Sequence, residues 1–219
     1  MSAAFKKYFV LVILFVFPIV IYLFFASGKN NFALLPILTE EVNEINEWET
    51  LLGEIVNFKN NISVLGFWGS EISVKRGDAL NLNQKIYKRF YQFEDFQFVM
   101  ILQKGEQEKV IDLKEALREG AGTDLVKWKF VFGTSEQIQS LFNSLKSPLE
   151  LSAGLSSPYV FIIDKDRNLR GRDDYQGMLY GFNSQSVADI NNKMIDDVKV
   201  ILAEYRRAWK KYNRTETPE

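Results

Sequence analysis

Residues 62–70 read Ile-Ser-Val-Leu-Gly-Phe-Trp-Gly-Ser. The apolar run Ile62–Phe67 is short and rich in strand formers, which predicts a buried β-strand. Downstream, Gly77–Tyr91 spaces Leu80, Ile86, Tyr87 and Phe90 as one face of a helix. Phe96–Leu102 (FQFVMIL) reads as a second buried strand. Glu106–Glu119 sets Ile111, Leu113 and Leu117 among charges and is a second helix, stopped by Gly120 and Gly122. Trp128–Phe132 is a third strand, and Thr134 or Ser135 caps a helix whose apolar face is Ile138, Leu141, Phe142 and Leu145.

After Pro158, Tyr159–Ile163 (YVFII) is a fourth strand. Asp164-Lys165-Asp166-Arg167-Asn168 forms a turn, because Asp and Asn side chains bond the local backbone. Leu169–Arg172 returns as a short strand, closing a hairpin. A long helix over 184–212 carries Val187, Ile190, Met194, Val198, Ile201 and Tyr205 at steps of three and four. The order β-α-β-α-β-α-β-β-α predicts an α/β domain of three layers. Its mixed central sheet is covered on both faces, and the hairpin supplies the antiparallel pair.

The chain has 219 residues, 27 basic and 28 acidic, with no cysteine and no histidine. Disulfides, reactive thiols, thiolate or imidazole metal sites and histidine acid–base catalysis are thereby excluded. A formal net charge of −1 argues against a general nucleic-acid binder, whose affinity comes from neutralising phosphates. No cofactor is expected.

Upstream, Tyr8–Ala26 (YFVLVILFVFPIVIYLFFA) is a run of 19 uncharged residues. At about 1.5 Å per residue, such a helix roughly matches a hydrocarbon core of about 30 Å. Residues 1–28 are therefore read as a transmembrane anchor. Lys6 and Lys7 put the N-terminus in the cytoplasm and the main domain on the periplasmic, extracytoplasmic side. The alternative is a cleaved signal peptide with Ala26-Ser27-Gly28 as its site; the apolar run is longer than the usual signal core. A lipid-modified cysteine is excluded. Lys6 and Lys7 are the only charges before residue 29, which leaves 25 basic against 28 acidic groups beyond it. Residues 29–50 read as a tether, with a short helix near 39–48 from the spacing of Val42, Ile45 and Trp48. Residues 51–214 form the domain and 215–219 a tail.

The element order resembles the thioredoxin fold, and two segments carry the likeness. Val64-Leu65-Gly66-Phe67-Trp68-Gly69-Ser70 is similar to the strand end before the active helix of thioredoxin-like proteins. Gly154-Leu155-Ser156-Ser157-Pro158-Tyr159-Val160 resembles the segment that places a cis-proline beside that site. A more specific likeness is to the Sco family, membrane-anchored copper chaperones of cytochrome c oxidase assembly. There the insertion before the closing hairpin is similar to Glu106–Ile138 of this chain. The resemblance implies a Cys-x-x-x-Cys pair where this chain has Ser70 and Val74, and a histidine near Ser156 or Ser157. Serine is a hard, weak ligand and valine is none, so no copper is expected. Thiol exchange is closed as well. The resemblance thus implies a redox-inactive, non-enzymatic, membrane-anchored domain, with a membrane-complex protein as partner.

The candidate contact surface is Trp68, Ser70, Ser157 and Pro158. Trp68 is either an aromatic anchor for a partner or a packing residue beneath the turn. A cis Ser157–Pro158 bond would free the Ser157 backbone for a partner strand. Ser70 as a nucleophile would need Lys75 as its base. Glu71 and Asp78, seven residues apart, are the candidates for a carboxylate metal site, and a cleft lined by Phe67, Trp68 and Tyr159 for a peptide or small apolar ligand. Arg167, Arg170 and Arg172 beside Asp164, Asp166, Asp173 and Asp174 read as a solvated, self-compensating hairpin. Asp164, Asp166 and Asn168 repeat like a calcium loop, but Leu169 stands at its glycine position and Tyr175 at its closing acid. Arg206, Arg207, Lys210, Lys211 and Arg214 end the last helix, where they suit the negative end of its dipole.

Overall fold

β3 (Ile62–Gly69) is buried along its whole length and occupies the middle of the sheet. The computed structural model describes residues 3–26, 34–121, 124–174 and 177–215. Two compact units result, residues 1–33 and 34–219.

The first unit contains one helix, α1 (Ala3–Ala26), with Pro18 inside it. Among the described residues no helix is long and apolar enough to cross a membrane.

The second unit is built on an eight-stranded mixed sheet. Its strands are β1 (Ile37–Thr39), β2 (Glu49–Thr50), β3, β4 (Phe96–Gln103), β5 (Trp128–Gly133), β6 (Tyr159–Ile163), β7 (Leu169–Arg170) and β10 (Phe182–Asn183). The order is β1-β7-β6-β3-β4-β5-β2, with β10 also on β6. β3, β4 and β5 are parallel, as connections through helices require, and β6 is antiparallel to both β3 and β7. A separate ribbon pairs β8 (Arg172–Asp174) with β9 (Gly177–Leu179).

Strand periodicity divides the core in two. Val64, Trp68, Phe98 and Met100 face α2 (Arg76–Leu82), α4 (Gln107–Ala121) and α7 (Ile195–Thr215). Leu65, Phe67, Val99 and Ile101 face α5 (Ser135–Ser144). Each such large side chain, fully buried, contributes about 1.5–3 kcal/mol. α2 continues through a π turn (Asn83–Tyr87) into α3 (Lys88–Phe90), and α6 (Val187–Asp189) reaches α7 through a second π turn (Ile190–Met194). α5 begins with a capping box: Gln137 N donates to Thr134 Oγ1 and Thr134 N to Gln137 Oε1. Gly122, expected to stop α4, lies outside the described residues, as do residues 29–33 of the expected tether, Ser27 and Gly28 of the expected cleavage site, and 216–219 of the tail.

Residues 34–50 differ from the expected tether and hold no helix. β1 and β2 come from this segment and close the opposite edges of the sheet, β1 on β7 and β2 on β5. Glu41 turns left-handed at φ 55°, which breaks a helix. Val42 and Ile45 are buried from a loop, and the Glu44 carboxylate accepts from the N–H groups of Ile45, Phe58 and Lys59. The helical spacing of Val42, Ile45 and Trp48 thus records points where a loop meets the core.

The hairpin charges are solvated only in part: Asp166 and Asp173 are exposed, but Asp164 and Arg170 are buried. Arg170 is buried, bonded to Leu35 O at 2.7 and 3.1 Å, Asp164 Oδ2 at 3.0 Å and Glu204 Oε2 at 2.7 Å. Burial alone would lower its pKa, but Glu204 and Asp164 outweigh this and hold it above the ordinary arginine value. Arg172 pairs with Asp197. Asp164 Oδ1 accepts from the N–H groups of Asp166 and Asn168, so the turn uses its carboxylate internally. Tyr175, the closing position of the calcium pattern, lies outside the described residues.

Candidate functional site

The corner singled out by the likeness forms where β3 ends. Gly69 adopts φ +51°, and a Cβ there would stand 1.9 Å from Gly154 O. Only glycine lets the strand end and the 152–158 loop approach this closely. Ser70 N donates to Gly154 O at 3.0 Å, and Ser70 Oγ reaches the same oxygen at 3.3 Å. One residue on, Glu71 Oε1 accepts from Ser152 Oγ at 2.8 Å. A Cβ on Gly154 would meet that carboxylate at 2.5 Å, so a larger residue there would push the Glu71 side chain aside. A short 3-10 turn (Ile72–Val74) then leads into α2.

Beneath this clamp lies an ion pair. Lys75 is 4% exposed; its Nζ donates to Ser157 O at 3.0 Å and lies 3.3 Å from Asp78 Oδ2. Asp78 also faces Ser184 Oγ at 3.3 Å, and that hydroxyl donates to Pro158 O at 2.8 Å. The lysine thus ties the start of α2 to the loop before β6, and Ser184 ties β10 to the same loop.

The four predicted contact residues separate. Ser70 is exposed. Trp68 is 1% exposed and packs on Trp128 and Phe130 at centroid distances of 6.0 and 6.1 Å, so its indole is a core group. Ser157 is buried, its N–H donating to Phe67 O and its carbonyl held by Lys75. Among the described residues no peptide bond is cis, so Ser157–Pro158 is trans. The Ser157 backbone is not free for a partner strand, and Pro158 O is taken by Ser184 N and Oγ. The two positions likened to cysteines, Ser70 and Val74, are both on the surface, Val74 at 74% exposure.

The chemical alternatives do not assemble. Lys75 is committed to Asp78 and Ser157 rather than to Ser70. Glu71 and Asp78 bond different partners, and among the described residues no three Asp or Glu side chains cluster in a metal-holding group. Phe67 and Trp68 are buried on opposite faces of the sheet, so they cannot line one cleft with Tyr159. A shallow groove of about 210 Å³ does lie beside the corner, lined by Ile72, Ser73, Arg76, Lys109, Asp112 and Leu113.

Sequence reading missed Ser152 and Ser184, placed Gly154 only within the segment likened to the proline loop, and saw Lys75 only as a base. The Lys75–Asp78 spacing of three on a helix is a pairing signal. Nothing local announces that the pair is buried under a distant loop.

No protein-family model matches the sequence, and no curated protein matches it. Solved structures do match in fold. A SCO1/SenC family lipoprotein from Bacillus anthracis is 15% identical, with a TM-score of 0.51 over 80% of this chain and 99% of that one. A protein provisionally assigned as a disulfide isomerase from Bacteroides thetaiotaomicron is 14% identical, with a TM-score of 0.50 over 80% of this chain and 98% of that one. The α/β domain therefore has a thioredoxin-like fold of the Sco type, with a mixed sheet.

Proposed function

We propose that this chain is a non-catalytic, membrane-anchored interaction protein whose domain sits on the extracytoplasmic side and docks a membrane-complex partner. The observation that carries the reading is the pair Ser70 and Val74. Both are exposed, on a turn held rigid from below, at the positions likened to a thiol pair. A surface ordered in advance loses little entropy on binding, which favours a docking role. The sequence holds no cysteine or histidine, so a thiol or imidazole reaction has no atoms to use.

The anchor rests on the 19 uncharged residues at 8–26 and on the exposed apolar side chains of α1, among them Leu14, Phe15, Phe17 and Ile19. The Sco likeness points to a respiratory oxidase, or its assembly intermediates, as the partner.

Purification of the full chain in mild detergent tests this. Oxidase subunits are expected to co-purify, and Val74→Arg to lower their recovery at least about tenfold without changing thermal stability, because the side chain is exposed. Recovery of the chain alone, or recovery indifferent to Val74→Arg, sinks the docking role. Release of the chain from membranes by alkaline carbonate sinks the anchor.

A further inference from the structure

On the α5 side of the sheet, a groove of about 460 Å³ runs between the 42–48 loop, α5 and Arg167 of the hairpin turn. It has more than twice the volume of the groove beside the corner and falls within the ~300–1,000 Å³ of small-molecule sites.

Its irregular wall is fastened in advance. Val42 N donates to Arg167 O at 2.9 Å, Asn43 N to Ser144 Oγ at 3.1 Å and Trp48 N to Ile45 O at 3.0 Å. The Glu44 carboxylate is occupied by three backbone N–H groups. The six-membered ring of Trp48 lies against Gly133, where a Cβ would stand 2.6 Å from Cζ3, and the half-buried indole borders the groove.

The groups that remain open define the ligand. Gln137 Oε1 accepts from Thr134 N, so Gln137 Nε2 is an open donor. Asn43 Nδ2 reaches Ser140 Oγ and O at 3.4 and 3.5 Å, which leaves Asn43 Oδ1 as an open acceptor. Among the described residues the Arg167 guanidinium has no hydrogen bond or ion pair. Arg167 stands at φ 68°, a left-handed turn position that glycine or asparagine fills with less strain. A long cation held there without an internal partner points to an external one.

Glu136 is an ionised acid in the same groove, its carboxyl held below the ordinary value by its own backbone N–H and by Thr134. With Glu44 and Glu136 beside Arg167, the groove lacks the surplus of positive charge that a phosphate or polyanion needs. Leu141 is 1% exposed, so Trp48 supplies nearly all the apolar lining, and an aliphatic anchor would find little to bury against. A suitable ligand has adjacent donors and acceptors for the amide and guanidinium groups, one apolar C–H face for the indole, and no net charge. We infer that the groove binds a neutral saccharide, with a pyranose ring against Trp48 and its hydroxyls on Arg167, Gln137 and Asn43. The site lies wholly in the second unit and is independent of the docking role.

The test is calorimetric titration of the full chain, kept in a polyoxyethylene detergent because glucoside and maltoside headgroups would compete. The probes are maltose, cellobiose, lactose and N,N′-diacetylchitobiose, with sorbitol as an open-chain control. At least one disaccharide is expected to bind with a Kd of about 1 mM or tighter. Sorbitol should bind at least about tenfold more weakly, since a flexible chain loses more freedom on binding. Arg167→Gly should weaken the disaccharide at least about tenfold without lowering Tm, because glycine suits the left-handed position. Trp48→Ala should do the same to binding; should it fail to fold, Arg167→Gly decides alone. Failure of all four disaccharides, equal binding of sorbitol, or an affinity unchanged in Arg167→Gly overturns the inference.

Discussion

Two buried charge clusters sit at opposite ends of the sheet and hold the domain in different ways. At the corner, Lys75, just before α2, and Asp78, in its first turn, are three residues apart, and their outside contacts are with Ser157 and Ser184. At the other end, Arg170 joins the start of the second unit at Leu35, the hairpin turn at Asp164 and α7 at Glu204. The first cluster fastens one loop. The second cross-links segments separated by 135 and 34 residues. The corner is thus fastened locally, while the Arg170 guanidinium ties the start of the second unit and α7 to the hairpin turn.

The comparison is broken most forcefully at Arg170. Arg170→Met leaves Asp164, 1% exposed, as an uncompensated buried charge and should cost about 3–5 kcal/mol in denaturant unfolding. A loss below about 1 kcal/mol would mean that Asp164 finds other compensation. Lys75→Met should cost about 2–4 kcal/mol for the same reason, with Asp78 the stranded partner. The double change Lys75→Met with Asp78→Leu should regain most of that loss, because it removes both charges. No regain would show that the lysine acts through Ser157 rather than through the pair.

A smaller effect is expected from Gly69→Ala. The positive φ and the contact with Gly154 O together should cost about 2 kcal/mol, read as a lower Tm with the cores intact. The smallest effect concerns pH. Burial pushes the Tyr87 hydroxyl up to about 12, helped by Asp124 and opposed by a hydrogen bond with Lys127 N. A raised folded-state pKa means the stabilisation is present below the ordinary tyrosine value of about 10 and is lost as pH climbs from there towards 12. Tyr87→Phe should therefore flatten the fall of Tm over that range, and an unchanged slope would place the alkaline transition elsewhere, with Tyr205, also raised by burial, the next to examine.

Most of the scaffold was legible because it is written in local periodicity. The strand at 62–67, the apolar run 96–102 and the hairpin around Asp164 are each set by short-range patterns; the structure lengthens the first two and shortens the hairpin's return strand to Leu169–Arg170, giving Arg172 to the separate ribbon. The 34–50 segment was not legible. Val42, Ile45 and Trp48 repeat at helical spacing, but the segment's partners, β7 and β5, lie more than 80 residues away, and pairing at that distance leaves no local trace. Trp68 was ambiguous for a related reason. Its alternation with Phe67 puts the two on opposite faces, and only the packing of Trp128 and Phe130 decides that its face is covered.

The amino-acid sequence by itself determined what this chain is unable to do. Without a thiol or an imidazole, no fold can supply disulfide exchange or a thiolate or imidazole metal site, since those properties belong to atoms and not to shapes. It also determined the layered α/β order, through hydrophobic period. Tertiary structure alone decided that Lys75 and Arg170 are interior cations, that Ser157 has no backbone to lend, and that both edges of the sheet are closed by strands from residues 34–50. Each of these depends on which distant segment covers a group, and burial is a property of the assembled chain rather than of any stretch of it.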